Sequence, residues 1–272
     1  MIRLLSIERL LSLFATVFEV PVSWPKQSSS FATFAWVHVG STDLELWAAT
    51  NNSDLPVNNQ PPLIHGFALD PTDLGASIAK LAKVGIQCKS PRSYQTRDDD
   101  GALATNFTNS VIVDLSSDSC CIFFCAWDPN GTIFPWEKRL TSVERSARDR
   151  KELVDRKGGA LGLLGLSEVK MSTPNLADTA EKWSALTGSR SRPIALTSDI
   201  NLSLVSGNQH IVQSLTFEVR SLEAVRAFLS SRGMLGASSE DEIALDLHAT
   251  DGLQLKFREA KLETQQMAAA TQ

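Results

Sequence analysis

The chain has 272 residues, 43% hydrophobic and 21% charged, which suits one large globular domain or two of about 130 residues. Its net charge of −5 argues against a nucleic-acid binder, which would carry a basic face. No run of about 18 uncharged apolar residues occurs, so no membrane span is expected.

In chain order, the opening MIRLLSIERLLSLFATVFEV is split by Glu8 and Arg9 and has no small-residue cleavage site before Pro21. It reads as a helix with Leu4, Ile7, Leu11, Phe14 and Phe18 on one side, not as a signal peptide. The protein is accordingly expected in the cytoplasm, with Cys88, Cys120, Cys121 and Cys125 as reduced thiols. Adjacent Cys120 and Cys121 point to opposite faces of a strand and cannot share a metal. Strands follow at 32–39 and 43–50, joined by a Gly-Ser-Thr turn, then a strand at 63–69, a helix at 72–84 and strands at 109–115 and 119–127. Residues 127–139 read as loop. The run 139–159 alternates in charge and reads as a solvated connecting helix over 140–157. Beyond it come a strand at 162–171, a helix at 174–187, and strands at 193–197, 200–206 and 210–219. A helix at 221–232, strands at 242–248 and 252–258, and a polar, Ala-rich tail that should fray complete the chain.

A unit of strand, turn and helix thus recurs. Its helices start at Asp73-Leu74, Asn175-Leu176 and Ser221-Leu222, and end at Gly85, Gly188 and Gly233, the residue suited to a left-handed cap. Internal repetition marks a unit that buries its sheet against a copy of itself. No dinucleotide fingerprint, phosphate-binding loop, nucleophile elbow or H-E-x-x-H motif competes.

The segments STDLELW, FALDPTDLGASIAKLAKVGI, FFCAWDPNG, MSTPNLADTAEKWSALTG, FEVRSLEAVRAFLSSRGM and ATDGLQLKF carry a resemblance. In this order the chain resembles the vicinal oxygen chelate superfamily, and its glyoxalase-like members most. The resemblance implies an α+β fold of tandem βαβββ modules, forming two curved half-barrel sheets with helices on the convex faces. The first barrel would span 1–128, with its opening strand missing or replaced by MIRLLS; a charged linker 129–160, a second barrel 161–258 and the tail 259–272 follow.

In that superfamily a divalent metal (Zn, Ni, Mn or Fe) sits in the cleft, held by side chains of a module's first and last strands. By count, the last-strand carboxylate is Glu45, while Ser203 and Gln254 occupy the matching places elsewhere; the first-strand places fall on Gly66, Glu168 and Ser214. His65 lies one residue off register and would need a β-bulge to join Glu45 as a metal ligand. Strand alternation puts Ala35, Val37 and Val39 under a helix, and Phe34, Trp36 and His38 on the cleft side with Asp43, Glu45 and Trp47. Glu45 and His38 are the candidate proton-handling pair, with Trp36, Trp47 and Phe34 as substrate walls. Two functions stay open: a lyase, isomerase or dioxygenase acting on a small carbonyl or aromatic compound, or a metal-free protein that sequesters a small hydrophobic ligand. The expected partners are that small molecule and, at most, a second copy of the chain in a homodimer.

Overall fold

The structure, a computed structural model, describes residues 1–261 apart from 41, 56, 58–59, 98–99, 132 and 134–139; most of the expected tail and part of the 127–139 loop lie outside these. The first unit contains β1 (Ile2–Arg3), α1 (Glu8–Ser12) running into a wider turn over Leu13–Val17, β2 (Val22–Ser28), β3 (Ala32–His38) and β4 (Asp43–Ala49). The second holds β5 (Leu63–Ile64), β6 (Gly66–Leu69), α2 (Leu74–Lys83), β7 (Arg92–Arg97), β8 (Leu103–Val111) and β9 (Cys121–Trp127). After helix α3 (Ser142–Asp155), the third unit is β10 (Leu163–Thr173), α4 (Leu176–Thr187), β11 (Ile194–Ala195) and β12 (Asn201–Ser206). The fourth is β13 (Ile211–Val219), α5 (Leu222–Ser231), β14 (Leu235–Ser238), β15 (Ile243–Leu245) and β16 (Gln254–Glu259).

Each unit pairs an early strand with its last strand in parallel: β1 with β4, β6 with β9, β10 with β12 and β13 with β16. Ile2–Arg3 therefore supplies the opening strand of the first unit. The helices begin where side chains cap them: Asp73 accepts from the Ala76 N–H, Asn175 from Asp178 and Ser221 from Ala224. Ala35, Val37, Val39 and Leu46 are fully buried on the helix side of the first sheet.

The expected strand 63–69 is broken. Leu63–Ile64 pairs with β1, whereas Gly66–Leu69 pairs with β9 in a separate four-stranded sheet. The break falls at His65-Gly66, where Gly66 has φ +139° and any Cβ would run into the Cys121 carbonyl oxygen. Strand β8 starts earlier than expected and ends at Val111, with a 3-10 turn over Val113–Leu115. The connector departs further from expectation. It is a helix with a Thr141–Glu144 capping box, but it packs against β3 and β10 and buries Leu153 and Asp149, the latter 2% exposed. Its apolar Leu153 and the polar groups of the first sheet pull one face out of water.

One twelve-stranded sheet runs through both halves of the chain, with order β11-β12-β10-β13-β5-β1-β4-β3-β2 and with β16, β15 and β14 continuing from β13. Val212 pairs with Ile64 across the halves, and the Leu166 N–H donates to the Val39 carbonyl oxygen at 2.9 Å. The N-terminal helix contributes Phe14 and Phe18, which meet Phe217 and Phe257 of the fourth unit with ring centroids 6.3–6.4 Å apart. No helix among the described residues is long and apolar enough to cross a membrane.

Candidate functional site

The β3–β4 hairpin sets Phe34 opposite Trp47, Trp36 opposite Glu45 and His38 opposite Asp43. Leu44, Leu46 and Ala48 are buried on the other face, so Asp43, Glu45 and Trp47 share the cleft side. Arg3 stands opposite Trp47 on β1, its guanidinium 5.3 Å from the ring centre. Trp24 lies 4.9 Å from Trp36, and Trp127 reaches in from β9 to 5.8 Å from the same ring. Above them α3 places Arg145 over Trp36 and Trp127, at 5.4 and 5.7 Å. The result is an aromatic cluster with α3 across one end. Arg3, Glu45 and Trp47 remain half-buried at the other.

Burial pushes the Glu45 carboxyl above its usual range; the Met1 ammonium and the Trp36 indole N–H offset this only in part. Arg3 keeps Nε and Nη1 buried without hydrogen-bond partners, and no ion pair joins Arg3 to Glu45. His65, 5% exposed, is pushed down to about 3 by burial and then by the Arg3 guanidinium, so its ring is neutral at pH 7. Burial also pushes Cys120 and Cys125 up to about 12. Such thiols are poor nucleophiles.

These placements separate several residues that were expected to act together. His38 bonds to Asp43, Nδ1 to Oδ1 at 3.0 Å, rather than to Glu45. Glu45 and His65 belong to no group of three closely spaced donors among the described residues, and Arg3 bears on His65. The donors that do come together are His38, Asp43 and Asp149, whose ligand atoms lie within 4.8 Å of one another. In the second half, Glu168 is compensated by Arg258 at 3.3 Å, and Ser203, Lys170, Ser214 and Gln254 form one cross-strand row with no metal donor set. A cavity of about 460 Å³ beside α4, lined by Glu181, Ser184, Arg190 and Arg192 among others, lies away from these faces.

Arg3 and Asp149 were not singled out in the sequence. Arg3 could have been found by treating Ile2–Arg3 as the missing strand, which points alternate side chains to opposite faces. Asp149 sits four residues before Leu153, a helical repeat hidden in a run of alternating charges.

No family model matches the chain, and no curated protein matches it in sequence. Solved structures do match in fold. An extradiol ring-cleaving dioxygenase from B. fuscum superposes with a TM-score of 0.60 over 96% of this chain and 70% of its own, at 10% identity. The Mn(II)-bound glyoxalase from Novosphingobium aromaticivorans gives 0.55 over 95% and 79%, at 11% identity. The 2,3-dioxygenase LapB from Pseudomonas sp. KL28 gives 0.55 over 95% and 90%, at 13% identity. The chain therefore has the α+β fold of the vicinal oxygen chelate proteins, built from βαβββ-type units.

Proposed function

We propose that the chain binds a small carbonyl compound on the concave face of its first unit and moves a proton beside the carbonyl, as a glyoxalase-like isomerase or lyase. One observation carries this reading. A cation and a carboxylate, Arg3 and Glu45, share an aromatic-walled face without pairing with each other. A substrate carbonyl oxygen can accept from the remaining Arg3 guanidinium nitrogen, Nη2, which drains charge from the adjacent C–H and stabilises the enolate oxygen as it forms. Glu45, made more basic by burial, takes that proton and returns it to the former carbonyl carbon while the substrate hydroxyl proton passes to the former carbonyl oxygen, or the enolate expels a leaving group that picks up the proton from Glu45. Trp36, Trp47 and Phe34 shield the reacting carbons from water. The fold of the glyoxalase and dioxygenases supports a small-molecule substrate by analogy only.

Incubating the full chain with aliphatic and aryl α-hydroxy ketones in D2O, and following C–H loss by proton NMR, tests the reading. Wild type should exchange; Glu45→Gln should be slower by about 10²–10⁴-fold. Absence of exchange across the panel, or equal exchange by Glu45→Gln, would sink it.

A second reading, metal-free sequestration of a hydrophobic ligand, is favoured by the cover of α3 and the Arg145 guanidinium already seated on Trp36 and Trp127. Under it, Trp47→Ala should weaken binding of a naphthalene-sulfonate dye by about 1–3 kcal/mol. Glu45→Gln should leave that affinity unchanged.

A further inference from the structure

One rung along the hairpin from Glu45, three donors meet from two elements that are distant in sequence. His38 ends β3, Asp43 begins β4, and Asp149 comes down from α3. Their ligand atoms lie within 4.8 Å of one another. His38 Nδ1 and Asp43 Oδ1 are 3.0 Å apart. That is also the separation of two adjacent ligands each about 2.1 Å from one octahedral ion. One of these side chains is almost wholly buried yet incompletely satisfied. Asp149, 2% exposed, has no hydrogen-bond partner at Oδ2. Orphaned polar atoms at that depth cost stability and need an explanation.

We propose that His38, Asp43 and Asp149 form a divalent-cation site that staples helix α3 to the β3–β4 hairpin. One imidazole and two carboxylates make a mixed nitrogen and oxygen set, suited to Mn, Fe(II), Ni or Zn rather than to a soft-ligand metal. Arg148 already holds Asp149 Oδ1, with its Nε at 2.6 Å, which orients the carboxylate and leaves Oδ2 for the ion. Arg145 acts on Asp43 from the same helix, and Ser23 lies beside it, so the two carboxylates are the anionic counterweight of a cationic helix face. The ion would sit apart from Arg3 and Glu45 and owes nothing to the proton-transfer reading. Its role is mechanical: it would fix the helix that covers one end of the aromatic face.

The test uses the full chain, stripped with chelator and reloaded with Co(II) or Mn(II). Co(II) should give visible d–d absorption at one ion per chain, and loading should raise the thermal midpoint. Asp149→Asn, nearly equal in volume, and His38→Gln should each weaken uptake at least about tenfold while far-UV circular dichroism is retained. Glu45→Gln should leave uptake unchanged. No uptake by the wild type, or uptake unaltered by Asp149→Asn, overturns the proposal. So does uptake lost in Glu45→Gln but kept in Asp149→Asn, which would place the ion at Glu45. Should His38→Gln not fold, the Asp149→Asn result decides alone.

Discussion

Glu45 lies where water serves it poorly and the Met1 ammonium compensates it only in part, and its protonation is therefore coupled to folding. Its folded pKa is raised above the ordinary 4.5, so its contribution to stability is present below that value and is lost as pH rises through the folded pKa. Glu45→Gln should thus stabilise the protein at pH 7.5 by about 1–3 kcal/mol, the usual penalty for an under-served buried polar group, and by little at pH 4. Thermal melts at the two pH values check this, at roughly 2–4 °C per kcal/mol; an equal gain at both would refute it. The same substitution is expected to slow turnover by about 10²–10⁴-fold, as when function is held at the expense of stability. His65 runs the other way. Its folded pKa of about 3 lies below the ordinary 6.5, so its contribution is intact above 6.5 and is lost as pH falls toward 3. In a Glu45→Gln background, which removes the opposing titration, stability should fall below pH 6.5 by up to about 1.4 kcal/mol per unit. Adding His65→Gln should flatten that slope in denaturant titrations.

At the scale of elements, the broken strand at His65-Gly66 is the sharpest test. Gly66 holds a φ of +139° against the Cys121 backbone, which cannot yield as a side chain can. Gly66→Ala should cost about 3–5 kcal/mol in urea unfolding, strain and overpacking together. Gly85→Ala, at φ +79° with open space around its Cβ, should cost only about 1–2 kcal/mol. Similar losses at both glycines would show that contact with Cys121 is not what selects Gly66. The break also marks where legibility in the sequence ended. Interior strands such as β3, β4 and β13 announced themselves through alternation or apolar runs, and the helices through their caps and closing glycines. The strands that went unread were β1, a two-residue strand within a run that reads as helix, and β2, β7 and β14, each the last in its row; β7 is exposed along almost its whole length, and β2 carries Pro25. An edge strand has no second neighbour to bury it, so its composition resembles loop. The site was half legible for a related reason. Strand period two sorted Trp36, His38, Glu45 and Trp47 onto one face, but no local pattern says that α3 returns to cover it with Asp149.

For the molecule as a whole, the shared sheet decides how it comes apart. The pairing of Val212 with Ile64, the Val39–Leu166 bond and the Phe14 and Phe18 contacts to Phe217 and Phe257 couple the two halves through backbone and core. Unfolding should be a single transition in scanning calorimetry, with calorimetric and van't Hoff enthalpies equal. Two resolved transitions would show that the halves fold as separate domains joined only by α3.

The buried thiols turn that cooperativity into something that can be timed. Cys120 and Cys125 lie on the second unit, 0% and 8% exposed, and both are held far from the thiolate that alkylating reagents need. Half-buried Cys88 sits closer to water. Iodoacetamide will therefore mark Cys120 and Cys125 only in molecules that have opened, and the lag between their mass increments and that of Cys88 becomes an internal stopwatch for how often the native chain breathes.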